Sequence, residues 1–147
     1  MKKFILPSIF AFGLLFSCNN DDDDSSTDNA SIVGTWNYVK HQTQFSKDNK
    51  IVDEENDGCE EKNTYTFSKE NKYIILNHEL YQNQCNPFTE EAIYKVEGKK
   101  LFIDWGEGSQ EAEIIKLTKN ELILRGDYGE DLDEDGKSEI EILHLKR

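Results

Sequence analysis

The stretch "EAIYKVEGKKLFIDW", Glu91 to Trp105, alternates apolar and polar residues on both sides of one glycine. Tyr94 and Val96 share a side in its first half. Leu101, Ile103 and Trp105 share a side in its second. A period of two marks a half-buried strand, and a link as short as "VEGKK" between two strands leaves room for a hairpin and little else.

Working outward, the same signal recurs over the rest of the chain, with no 12-residue helical pattern between. Eight strands are predicted: Ser31–Lys40, Glu61–Ser68, Lys72–Tyr81, Glu91–Gly98, Lys99–Trp105, Glu111–Thr118, Asn120–Tyr128 and Lys137–Arg147. "KEN" before Lys72 and "LTKNE" before Leu122 also read as tight turns. Consecutive strands with short links favour an antiparallel meander. Eight such strands lose their exposed edges by closing into an up-and-down barrel. The rival arrangement is a sandwich of two four-stranded sheets, which strand patterns alone do not separate from a barrel. The polar segment His41–Gly58 is expected to lie over one end as a connection.

The N-terminal part has a different character. Lys2 and Lys3 precede the apolar run Phe4–Phe16, the pattern of a secretory signal peptide. "LFSC", Leu15 to Cys18, resembles a bacterial lipobox. In lipoproteins of that kind the cysteine is acylated and becomes the first residue of the mature chain. Two or more acyl chains anchor a protein stably, where one is marginal. Asn19–Asn29 contains no core-forming residue and four consecutive aspartates, Asp21–Asp24. It reads as a solvated, disordered tether. An acidic run behind a lipidated cysteine also resembles a signal that places lipoproteins on the outer face of the outer membrane. The expected organisation is a signal peptide over 1–17, a lipidated Cys18 and acidic tether over 18–30, and a barrel over 31–147.

Charge and cysteine count narrow the function classes. The chain carries 17 basic and 30 acidic residues, a net charge of −13. Loss of Lys2 and Lys3 with the signal takes it to −15. Nucleic-acid recognition rests on Lys and Arg neutralising phosphates, so it is excluded as a partner class. With Cys18 lipidated, Cys59 and Cys85 remain. An export signal implies an oxidising compartment, where these two are expected to pair. A loop of that length is worth roughly 3–4 kcal/mol on the chain-entropy account. The alternative is a two-cysteine metal site, for which no histidine stands at the required spacing from both.

"IVGTWNYV", Ile32 to Val39, carries Gly34-Thr35-Trp36 at the head of the first strand. This resembles the Gly-x-Trp signature of lipocalins. The lipobox, the eight-strand pattern, "CEEKNTYTFSKENKY" and "LTKNELIL" together resemble the lipocalin-like domain of small bacterial lipoproteins. The resemblance implies a barrel over Ser31–Arg147 whose base is plugged by Trp36, with Gly34 permitting a close approach. In true lipocalins an arginine near the last strand packs over the tryptophan. Arg147 stands at the right end of the chain for that role, and Arg125 is the other arginine.

The sharpest chemical motif is Asp131-x-Asp133-x-Asp135-Gly136. Carboxylates at alternate positions with a glycine at the turn can wrap a hard cation such as calcium. It resembles the first half of an EF-hand loop. Position twelve is Ile142, so Glu139 is the substitute ligand. The bland reading is an acidic, solvated turn, with no cofactor. His41, His78 and His144 are scattered, and no nucleophile–base–acid arrangement is visible, so the chain is expected not to be an enzyme. Tyr65, Phe67, Tyr73, Tyr94, Phe102 and Trp105 are candidates to line a ligand pocket, or simply to fill the core.

Two functions follow as expectations. The first is a lipid-anchored module on the bacterial outer membrane, exposed at the cell surface, holding a small apolar or sugar-like ligand at the open end of the barrel. The second is an accessory envelope lipoprotein whose filled barrel binds another envelope protein. An interior of less than about 300 Å³ would count against a drug-sized ligand.

Overall fold

The computed structural model describes residues 30–147. The signal-peptide, lipobox and acidic-run readings, Cys18 included, lie outside the described residues. Nine strands form one antiparallel sheet: β1 (Gly34–Gln44), β2 (Ile51–Asp53), β3 (Thr64–Phe67), β4 (Lys72–Tyr81), β5 (Gln84–Glu97), β6 (Lys100–Asp104), β7 (Ser109–Leu117), β8 (Glu121–Asp127) and β9 (Ile140–Lys146). A short 3₁₀ turn spans Glu60–Lys62. From β3 onward each strand pairs with the next, and β9 returns to pair with β1 over Asn37–Gln44. That last pairing closes an eight-stranded barrel, which settles the choice between barrel and sandwich.

The hairpin expected over Glu91–Trp105 is present, with Tyr94 opposite Ile103 and Val96 opposite Leu101. Gly98 makes its turn at φ 62°. The turns after β3, β5 and β7 are all short and lie at the end of the barrel that holds Trp36. At the other end the β4–β5 and β6–β7 turns are equally short, and the long connections are those from β1 to β3 and from β8 to β9.

Three expectations need correction. Glu61 and Lys62 belong to the 3₁₀ turn, not to a strand. The segment expected as a bare connection carries β2, which pairs with Gln42–Gln44 at the far end of β1. β3 covers only Gly34–Asn37 on that side of β1, so without β2 the rest of the strand would present unpaired backbone groups. Finally, β5 begins at Gln84, seven residues before the predicted strand. Gln82 and Asn83 both adopt positive φ, the two-residue turn geometry that matches strand twist. Pro87 sits inside this extension. Pairing with β6 starts only at Ile93, so the missing N–H of Pro87 falls on a free edge.

The base of the barrel is its most tightly sealed part. Trp36, Phe67, Leu101 and Leu122 are fully buried, as is Leu145. Phe67 stacks on Tyr73 at 4.7 Å and meets Tyr94 edge-on at 5.1 Å. Burying aromatic side chains of this size dominates core energetics.

Candidate functional site

Above that base the same strands enclose a cavity of about 370 Å³. Its floor and walls are Tyr65, Tyr73, Ile75, Ile103, Trp105, Ala112, Leu124 and Leu143. Toward the open end it meets Tyr38, His41, Glu60, Asn63, Asn77, Gln110 and Glu141. Inward positions alternate along each strand, so β9 supplies Leu145 to the base, then Leu143, then Glu141 at the mouth.

On β1 the register shifts between Tyr38 and Lys40, and Val39 is turned outward at 44% exposure. A bulge of this kind moves the inward set by one residue. Trp36 and Tyr38 face in below it, and His41 and Thr43 face in above it. His41 Nδ1 lies 3.0 Å from Glu54, and Nε2 lies 3.3 Å from Glu141. Burial opposes charge on this imidazole. The hydrogen bond to Glu141 and the negative charges of Glu54, Glu141 and Glu60 outweigh that, and the pKa is raised above 6.5. The Tyr38 hydroxyl donates to Glu60 at 3.1 Å. Burial, reinforced by the Glu60 charge, pushes its pKa up to about 12. Burial likewise raises Tyr65 and Tyr73, so all three phenols stay protonated and able to donate.

The candidate lining residues divide into three groups. Tyr65, Tyr73 and Trp105 line the cavity. Phe67 and Tyr94 lie in the base below it, where the Tyr94 hydroxyl donates to Ser68 O at 2.8 Å. Phe102 is a correction. It alternates with the inward Leu101 and Ile103, so it stands on the outer wall between Lys95 and Glu111. Tyr38, His41, Glu60 and Glu141 were not anticipated as site residues.

Cys59 and Cys85 form a disulfide with Cα atoms 5.4 Å apart. It ties the 3₁₀ turn that carries Glu60 to the extended β4–β5 hairpin, at the open end. Asn63, buried behind that turn, accepts from the His78 backbone N–H at 2.7 Å.

At the base, the Trp36 indole N–H donates to Ile32 O at 2.8 Å. The Arg147 guanidinium lies 4.0 Å over the Trp36 ring. It also donates to the carbonyls of Lys119, Val33 and Ser31 at 2.6, 3.0 and 2.9 Å. Gly34 has φ +134°, and a Cβ there would come within 2.7 Å of Arg147 Nη1. Glycine is what this approach requires. Arg125 is elsewhere, donating to Gln44 Oε1 at 3.2 Å.

The loop between β8 and β9 brings carboxylate oxygens of Asp131, Asp133 and Glu139 within 4.8 Å of one another. Glu139 is fully buried and accepts from the Ser46 and Leu132 N–H groups at 2.6 and 3.3 Å. One oxygen of Asp133 is buried with no hydrogen-bond partner. Asp135 is outside this group. Its backbone N–H donates to Asp131 and Asp133, and its carboxylate accepts from the Lys137 N–H.

No curated protein matches the chain in sequence. Among solved structures, a lipocalin-like protein from Bacteroides uniformis is 16% identical, with a TM-score of 0.48 over 78% of this chain and 96% of that one. A deswapped triple mutant of bovine odorant binding protein is 13% identical, with a TM-score of 0.43 over 78% of this chain and 72% of that one. The family model of the lipocalin-like domain matches residues 32–124, well over half of the sequence, and the chain therefore belongs to the lipocalin-like domain family.

Proposed function

We propose that this protein is a non-catalytic binding module, anchored through a lipidated Cys18 to the outer membrane and facing outward, that holds one small ligand with an apolar or sugar-like body. The observation that carries the binding half is the cavity of about 370 Å³ above a sealed base. It exceeds the roughly 300 Å³ expected of a small-molecule site. Its mixture of aromatic walls and a few polar groups at one end is the usual make-up of such sites. Lipocalin-like folds commonly bind small hydrophobic ligands, and their members are generally binders rather than enzymes. The accessory reading, with a filled barrel that binds another envelope protein, is disfavoured by the unfilled volume.

Mass spectrometry of small molecules that co-purify with the natively expressed protein tests the binding half. Ala112→Trp, which would fill the cavity, should remove them. Retention by that variant, or no bound molecule in either protein, would sink the reading. Support for the anchor comes from Leu15–Cys18 and the aspartates behind it. Cys18→Ala should move the protein from the membrane to the soluble fraction, and continued membrane association would refute lipidation.

A specific feature also favours calcium at the β8–β9 loop. A fully buried Glu139 shares its site with two further carboxylates, and one Asp133 oxygen has no donor. Buried carboxylates are costly unless paired or bound to a cation. Asp131, Asp133 and Glu139 supply hard oxygen ligands suited to that ion. Millimolar calcium should raise the melting temperature, and Asp133→Asn should cancel the rise. A flat response would leave an acidic turn.

A further inference from the structure

The charges around the cavity are unevenly distributed. Among the described residues no lysine or arginine lines it, and His41 is its one basic residue. That imidazole is already held between Glu54 and Glu141. Four acids line the cavity, and one of them is paired with a lysine. Glu111 is bound by Lys100 at 2.5 Å, whereas Asp127 accepts the Gly129 N–H at 2.8 Å and keeps its charge. Glu60 and Glu141 remain at the mouth, with Glu54 behind His41. Those three carboxylates against one imidazolium leave a net −2, or −3 when His41 is neutral, and Asp127 adds a further negative charge to the lining.

Beneath these carboxylates the walls offer the rings of Tyr65, Tyr73 and Trp105. An aromatic face attracts a cation through its quadrupole, and more strongly where water is excluded. An anionic ligand would meet three carboxylates and no free basic side chain among the lining residues. A neutral hydroxyl can donate to these carboxylates but lacks the ion-pair attraction that an ammonium adds. We propose that the ligand is a small organic amine, its ammonium group held near Glu60 and Glu141 and its apolar body resting on Tyr65, Tyr73 and Trp105. This rests on the binding reading above and narrows its ligand class.

The test uses three probes that share one body and differ in charge: 2-phenylethylamine, 2-phenylethanol and phenylacetate, each titrated calorimetrically into the barrel protein. The amine should bind at least about tenfold more tightly than either of the others, the size of one favourable cation contact. Glu141→Gln should remove about that factor for the amine and weaken the alcohol much less. Glu60→Gln is the second variant, should Glu141→Gln unfold, and should act in the same direction. Equal or tighter binding of the alcohol or the carboxylate would overturn the amine class while leaving a binding cavity in place. Absence of heat with all three would also overturn it, and the co-purification experiment then decides separately whether the cavity binds anything.

Discussion

The two ends of this barrel are built from the same strands and serve opposite purposes. At the base, Trp36, Phe67, Leu101, Leu122 and Leu145 exclude water almost completely, and Arg147 seals the bottom through three backbone carbonyls and one ring face. At the mouth, one bulge along β1, the inward side chains become His41 and its carboxylate partners. Well-packed hydrocarbon contributes stability, whereas half-buried charges at best hold one another in place. The two long connections, from β1 to β3 and from β8 to β9, both lie at the mouth, so variable chemistry sits where the fold depends on it least.

Exchanging one tryptophan from each end is the most forceful way to break this contrast. Trp36→Ala should cost about 3–5 kcal/mol in urea unfolding, the range for removing a fully buried aromatic. Trp105 is only partly buried, with its indole N–H on Gln110 at 3.0 Å. Trp105→Ala should cost clearly less while weakening any ligand held in the cavity. Equal losses would mean that the mouth is as structural as the base.

The disulfide is the mouth's own stabiliser and gives the next largest effect. Cys59 and Cys85 are 26 residues apart, and opening that loop should cost about 3–4 kcal/mol. The double variant Cys59→Ser/Cys85→Ser should lower the unfolding free energy measured in urea by that amount. It should also loosen the turn that carries Glu60, read as faster amide exchange over residues 60–63 than over the base strands. Uniform acceleration across the barrel would show that the disulfide is not a device of the mouth.

The two ends also differ in how legible they are in the sequence. The base can be read almost residue by residue, because unbroken alternation through Tyr65–Phe67 and Leu101–Ile103 assigns each side chain a face. Gly34 and Trp36 stand together in the chain, and Arg147 is one of only two arginines. Phe102 shows the rule neglected: once Leu101 and Ile103 point inward, their neighbour cannot. The mouth resists such reading for three reasons. The bulge after Tyr38 changes the inward set, so simple alternation turns His41 outward. Glu141 meets His41 only because β9 closes onto β1, a contact across about one hundred residues. Glu54 and Glu60 reach the site from segments with no strand period at all.

The smallest expected effect isolates the mouth by its charge. The folded pKa of His41 is raised above its unfolded value, so the fold favours the protonated ring. The resulting stabilisation is fully present below pH 6.5 and is lost as pH rises through the higher folded pKa. Glu54 and Glu141 contact the ring directly, Glu60 adds its charge, and Tyr128 lies 6.5 Å away. His144, on the outside of the same β1–β9 seam, is shifted the other way by burial and by Lys40. Its contribution changes below pH 6.5 and is complete above it. Above pH 6.5 the two therefore separate, and of the two only His41 should make the protein less stable as pH rises. The unfolding midpoint should fall over that range in the parent and in His144→Asn. In His41→Asn the fall should vanish. If it persists in His41→Asn, the imidazole is not the charge that the mouth's carboxylates hold.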